Sequence, residues 1–262
     1  MARFCSLYSG SSGNCIYVED GDDGILIDAG VSMRRICAGL QAVGSDITRV
    51  RAVFLTHEHS DHIKALLMLF KKYKIPVFAT PGTVRGACAA VEGLVPARFE
   101  QMETGCCAEV GGMAISSFAT SHDSLESVGY RISFAGGENA AVATDLGFVD
   151  EPVMHGVQGC KMVMLESNHD IDMLRNGRYP YYLKRRILSA MGHLSNRDCA
   201  AVLPALAGTG MRHVVLAHLS ADNNLPALAL ETATEALCAA GLQDMVSVET
   251  APRSGPGHVY TL

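Results

Sequence analysis

The stretch Thr56-His57-Glu58-His59-Ser60-Asp61-His62 follows the apolar run Val53-Phe54-Leu55 and decides how the chain is read. Ala52–Thr56 has the composition of a buried strand. Just beyond it, the two imidazoles of His57-x-His59 are two positions apart, and an extended backbone turns both to the same side. Asp61-His62 opens the next element. Apolar residues at 63, 66, 67, 69 and 70 predict a helix over His62–Tyr73. Imidazole with carboxylate is the ligand mix of catalytic zinc, manganese or iron. A lone histidine at a strand end is usually only a hydrogen-bonded polar residue. His57, His59, Asp61 and His62 crowded onto one strand-to-helix turn are expected to be metal ligands.

One turn cannot saturate two ions, so further donors are expected from other strand ends. His122, Asp145 and His218 share that context, each a polar donor placed directly after an apolar run. Asp28 follows Ile25-Leu26-Ile27 in the same way but has no histidine beside it. Its expected role is to orient a ligand or the loop from behind the metal, as such sites commonly need.

The remaining pattern predicts short strands at Arg3–Tyr8, Cys15–Glu19 and Gly24–Ile27, then strands alternating with helices. Gly111-Gly112 should break the strand run Ala108–Thr120, and Tyr181–Met191 should be helical. No linker marks a boundary, which predicts one α/β layered domain over residues 1–262. Hydrophobic residues are 48% and charged residues 18%, a globular rather than a disordered balance. The start, Met1-Ala2-Arg3-Phe4-Cys5-Ser6, has no apolar signal core, and no apolar run is long enough for a membrane helix. Nine cysteines, an odd count without a Cys-x-x-Cys pair, predict reduced thiols and a cytoplasmic protein. Cys37, Cys88, Cys199 and Cys238 read as small core residues, and Cys106-Cys107 as two buried thiols at a strand start. The net charge of −6 lacks the basic surplus usual in nucleic-acid binders. Any anionic substrate would be drawn by a local field centred on bound cations.

With these residues in view, the chain resembles the metallo-β-lactamase superfamily, whose signature Thr-His-x-His-x-Asp-His stands at 56–62. Asp28, the His57 cluster, His122, Asp145 and His218 also follow the superfamily's order. The resemblance implies a four-layer αββα sandwich of two mixed sheets, with the site along one edge. It implies that His57, His59 and His122 hold one metal, that Asp61, His62 and His218 hold the other, and that Asp145 bridges them. The two divalent ions would be zinc, manganese or iron. The oxygen-reducing diiron branch usually carries Glu where His59 stands, so His59 argues for a hydrolase.

Other segments narrow the hydrolase. Ser9–Cys15, Leu165–Asp170, Gly192–Asn196 and Ala217–Ser220 look like the WalJ/YycJ-like (VicX) branch over nearly the whole chain. That resemblance implies a 5′-to-3′ exonuclease on double-stranded DNA, with a metal-bridging hydroxide as nucleophile and Asp61 orienting it. The Glu166 and His193 segments also resemble paired loops of the tRNA 3′-processing members. Carried over, Glu166 would orient His193, which would act as general acid; capping of the following helix is the plainer role for His193. His169 is expected in an interior hydrogen bond or near substrate. Arg175, Arg178, Lys184, Arg185 and Arg186, interleaved with Tyr179, Tyr181 and Tyr182, could grip phosphates and stack on a base, or be an exposed solvated face. The Ser/Gly turn at 9–14 could offer amides to phosphate. The alternatives are a thioester or lactam hydrolase, an RNA-processing nuclease, and a non-catalytic scaffold.

Overall fold

Alternating apolar residues give most strands two buried faces, and the molecule is the stacking that satisfies both. The computed structural model describes residues 1–262. The first sheet takes β1 (Ala2–Tyr8), β2 (Cys15–Asp20), β3 (Asp23–Ile27), β4 (Val50–Phe54), β5 (Val77–Ala79) and β6 (Phe99–Gln101). The second takes β7 (Cys107–Val110), β8 (Met113–Ala119), β9 (Val128–Ser133), β10 (Asn139–Ala143), β11 (Met162–Glu166), β12 (His213–Ala217) and β13 (Ser247–Thr250). The last strand, β14 (Tyr260–Thr261), returns to pair with β1, so each sheet has seven strands. Both sheets are mixed. Neighbours from β3 to β6 and from β10 to β13 run parallel, and the other neighbours antiparallel.

Phe4, Ile16, Ile25, Ile27 and Phe54 of the first sheet meet Ile115, Tyr130, Val142 and Met164 of the second in a buried inner core. The alternate positions Leu7, Tyr17, Leu26 and Val53 face outward onto Ile36, Leu40, Val84 and Ala87 of the helices Met33–Ala42 and Pro81–Ala90. Across the molecule Ala141, Val163, Leu165 and Val214 pack on Val153, Leu203, Ala233 and Leu237 of three further helices. The expected helix–sheet–sheet–helix order is present.

Several expected elements are altered by tertiary contacts. The helix expected over 62–73 is broken into Ser60–Ile63, Leu66–Met68 and a wide turn over Leu69–Tyr73. Ala29 causes the break: its N–H donates to the His62 carbonyl at 2.8 Å, and its carbonyl accepts from the Ala65 N–H at 2.8 Å. The helix expected over 181–191 stops at Ile187, whose carbonyl accepts from the His193 N–H at 3.0 Å. The break at Gly111-Gly112 is a tight turn with φ of 56° and 81°, values glycine reaches without strain. The three-residue β6 and the helix Ile171–Asn176 have no signal of their own in the sequence. All cysteines are free, but Cys106, Cys107 and Cys238 are exposed rather than buried, and Cys37 and Cys88 are half-buried. For Cys106-Cys107 the reason is position: the strand that Cys107 opens lies at the edge of the second sheet.

Two contacts stitch the sheets together where β4 ends. The buried Tyr130 hydroxyl donates to the Leu55 carbonyl at 2.6 Å, and the Val128 N–H donates to the Thr56 carbonyl at 3.0 Å. Removing the phenol hydrogen bond should leave a buried carbonyl short of a partner, a loss of about 1–3 kcal/mol. Tyr130→Phe is therefore expected to lower stability by that amount in urea unfolding; an unchanged midpoint would show that the contact carries none.

Candidate metal centre

The site lies where the parallel strands of both sheets end. Asp28 follows β3, the His57 cluster follows β4, Asp145 follows β10, Glu166 closes β11 and His218 follows β12. Asp28, Asp145 and His218 are left-handed, with φ of 63°, 58° and 54°. This conformation costs a non-glycine residue about 1–3 kcal/mol and persists only where surroundings hold it. Here they do. The Asp28 N–H donates to the Phe54 carbonyl, the His218 N–H to the Ser9 hydroxyl, and the His218 carbonyl accepts from Asn168 Nδ2.

The seven side chains expected as ligands converge, though they come from positions 57 to 218 of the chain. Donor atoms of His57, His59 and His122 lie within 4.8 Å of one another, as do those of Asp61, His62 and His218, and those of His57, His62 and Asp145. Asp145 stands between the groups: Oδ1 is 3.9 Å from His122 Nε2, and Oδ2 is 3.5 Å from His62 Nε2.

Groups behind the ring nitrogens set the tautomers. Asp28 Oδ2 accepts from His62 Nδ1 at 2.7 Å, and Thr56 donates its N–H and hydroxyl to the same carboxylate. With its proton committed to Asp28, the Thr56 oxygen accepts from His57 Nδ1 at 3.0 Å. His122 Nδ1 donates to the Gly192 carbonyl at 3.0 Å. His218 Nδ1 donates to Glu166 Oε1 at 2.8 Å. In the neutral ring each Nδ1 carries the proton, and it is then Nε2 that offers a lone pair toward the interior.

The buried atoms fit divalent cations. His57 Nε2, His218 Nε2 and Asp145 Oδ2 are buried and have no hydrogen-bond partner, a costly condition unless something else occupies them. Charge points the same way. Burial and the surrounding imidazoles hold His57 well below its ordinary pKa, so it offers a lone pair. Burial, outweighing Asp145, also lowers His122. For His62 burial is overcome by Asp28 and Asp145, which raise it to about 9. Burial is likewise overcome at His218, where Asp145, Asp61 and Glu166 lift the pKa well above the ordinary value. Asp61 is held below the carboxylate range because His218 and His62 outweigh its burial. One half of the centre is thus a set of neutral imidazoles. The other half is a negative well.

Glu166 is fully buried and fully satisfied. Its Oε1 also accepts from His193 Nδ1 at 2.8 Å, and its Oε2 accepts from the Leu146 and Leu194 N–H groups at 2.9 and 3.2 Å. His193 and His218 outweigh burial and keep it ionised. With its oxygens turned to Nδ1 atoms, Glu166 supports histidines rather than meeting a cation. His193 is 16% exposed, and its ring lies 5.1 Å from His122 and 5.3 Å from His218.

The expected phosphate-gripping residues are less uniform. Arg186 forms a two-pronged ion pair with Asp123, and Lys184 Nζ donates to the Arg175 carbonyl at 2.7 Å. Arg185 lies over the Tyr181 ring, while Arg178 is exposed with no ion pair. Tyr181 and Tyr182 are about three-quarters exposed. His169 is buried, both its ring nitrogens lack partners, and burial lowers its pKa to about 4. Two polar residues stand in motifs that the sequence shows, but no role of their own can be read from it. Thr56 is the first residue of the 56–62 signature. Asn14 belongs to the Ser/Gly turn; its buried Nδ2 lies 3.0 Å from His62 Nε2 and 3.5 Å from Asp61 Oδ2.

Comparison with known proteins agrees with this geometry. Residues 24–219 match the model of the beta-lactamase superfamily domain. The exodeoxyribonuclease YycJ of Bacillus anthracis is 36% identical over 235 residues, 90% of this chain and 89% of that protein. The exodeoxyribonuclease WalJ of Streptococcus pneumoniae serotype 2 (strain D39) is 34% identical over 242 residues, 92% of this chain and 90% of that one. Among solved structures, the metallo-beta-lactamase fold protein YhfI of Bacillus subtilis superposes with a TM-score of 0.73 at 16% identity, covering 99% of this chain and 98% of that one.

Because one hydroxyl aligns Asp28, His57 and His62, Thr56→Val should weaken divalent-metal binding by about 10–100-fold while keeping the fold. Chelator competition measures this, and wild-type affinity in the variant would show that the hydroxyl does not align the ligands.

Proposed function

The chain belongs to the metallo-β-lactamase superfamily, and from that membership we propose that it is a two-metal phosphodiesterase degrading double-stranded DNA from the 5′ end. The observation that carries this reading is the Glu166–His193 pair, with its Nδ1–Oε1 hydrogen bond of 2.8 Å, set against His122 and His218. A thioester expels a thiolate and has no need of a separately held acid at this place; expulsion of an alkoxide from phosphate benefits from one. The names of the YycJ and WalJ relatives support the DNA substrate.

His57, His59 and His122 would hold one divalent ion, Asp61, His62 and His218 the other, and Asp145 would touch both. When bound, such ions lower the pKa of a shared water and neutralise charge on phosphoryl oxygens. The remaining work falls to the chain itself. Asp61, ionised by its histidine neighbours, can accept a hydrogen bond from the nucleophilic water and turn its lone pair toward phosphorus. Glu166 holds the imidazole of His193 by Nδ1 and so fixes where its Nε2 points. His193 then carries the proton at Nε2, which passes to the leaving oxygen. Exposed Arg178 and Arg185 would contact backbone phosphates. The ions would be zinc, manganese or iron, since the donor set accepts each. No helix is long and apolar enough to cross a membrane.

The test is release of mononucleotides from 5′-labelled duplex DNA by metal-reconstituted protein, beside a thioester panel. Activity on thioester alone, or no nucleotide release with any divalent metal, would refute the reading. His59→Ala is expected to abolish nucleotide release and lower bound metal. His193→Ala should lower kcat by about 10²–10⁴-fold with metal content retained; a fully active His193 variant would remove it from the acid role.

A further inference from the structure

A cleft of about 490 Å³ opens beside the metal centre, with Asp61 in its wall. Ser11, Ser12, Gly30, Ser60 and Lys64 also line it, so it is formed by the turn after β1 and the segment carrying Asp61. The turn is held firmly. The Asn14 N–H donates to the Asp61 carbonyl at 2.8 Å, the Gly30 N–H to the Asn14 carbonyl at 2.8 Å, and the Gly10 N–H to Asn14 Oδ1 at 2.8 Å. Glycine is required at this join: a Cβ on Gly30 would stand 1.5 Å from the Asp61 carbonyl oxygen, and one on Gly13 2.5 Å from the Gly30 oxygen.

On this rigid frame the polar groups of the cleft are left free. Ser11, Ser12 and Ser60 are exposed, and their hydroxyls make none of the protein's internal hydrogen bonds. Lys64 is exposed and has no carboxylate within ion-pair distance, although Asp61 shares the cleft. The Asp61 carboxylate turns instead toward His62 and His218, 3.7 Å from each Nε2. The cleft therefore presents hydroxyl donors and one unneutralised ammonium, with its carboxylate directed away into the centre. That combination suits an anion with several acceptor oxygens.

We propose that this cleft binds a backbone phosphate of the DNA strand next to the phosphate being cleaved, with Lys64 as its charge partner and the Ser11, Ser12 and Ser60 hydroxyls as donors. The proposal rests on the nuclease reading and adds to it a contact that fixes which phosphodiester reaches the metals. Arg178 and Arg185 belong to the segment between Glu166 and His193, whereas Lys64 directly follows the His57 cluster, so the strand is held from a second element. In a chain of net charge −6 such local cations must supply the phosphate contacts.

The experiment uses duplexes in which one phosphate near the 5′ end is replaced by a neutral methylphosphonate, given to metal-loaded wild type, Lys64→Ala and Lys64→Arg. Wild type should lose about tenfold in kcat/KM at one phosphate flanking the scissile position. Lys64→Ala should be slower by a similar factor on unmodified DNA, mainly through KM, with unchanged metal content and no further loss at that phosphate. Lys64→Arg should restore the sensitivity. If Lys64→Ala matches wild type, or stays equally sensitive to the neutral phosphate, the subsite is refuted. If wild type releases nothing from unmodified duplex while retaining metal, the nuclease reading itself fails, whatever Lys64 does.

Discussion

A buried carboxylate governs the centre without facing the metal positions. Asp28 is fully buried and accepts hydrogen bonds from the Thr56 N–H, the Thr56 hydroxyl and His62 Nδ1. A carboxyl group in such a place is tolerable only when its oxygens find hydrogen-bond partners, so the loops around it have little freedom. The Thr56 hydroxyl, once it donates to Asp28, can only accept from His57, and two ligand tautomers follow from one carboxylate. Ala29, the next residue, interrupts the helix after His62 by taking its carbonyl and supplying one to Ala65. The same few residues thereby break the helix, aim the imidazoles and seat the Asn14 turn against Asp61.

Glu166 plays the corresponding part in the second sheet. It holds His218 and His193 by their Nδ1 atoms and takes two backbone N–H groups, so the proposed metal ligand and the proposed acid share one support. The two sheets meet at the site through Tyr130 and Val128, which hold the end of β4 against β9. Strain at Asp28, Asp145 and His218 is confined to strand ends where fold and function require the chain to turn sharply.

Much of this was legible in the residues. The His57 cluster is local, so its spacing shows it directly. His122, Asp145 and His218 are distant, yet each stands after an apolar run, and strands that end at one edge bring such residues together. The fold followed from apolar alternation and the superfamily resemblance. What stayed hidden depends on contacts between distant segments: the break after Ile63, the early stop at Ile187, the pairing of Arg186 with Asp123, and the exposure of Cys106-Cys107 on an edge strand. Thr56 and Asn14 were hidden for a different reason. Their side chains are ordinary turn residues, and only the tertiary hydrogen-bond network gives them a role.

The proposed centre holds two cations, with Asp145 shared between them. Metal content per chain, measured by elemental analysis during stepwise reconstitution of the chelator-stripped protein, is the decisive measurement. Two divalent ions per chain are predicted, falling to fewer than two when Asp145 is replaced by Ala. Saturation at one ion or none in the wild type would contradict the claim.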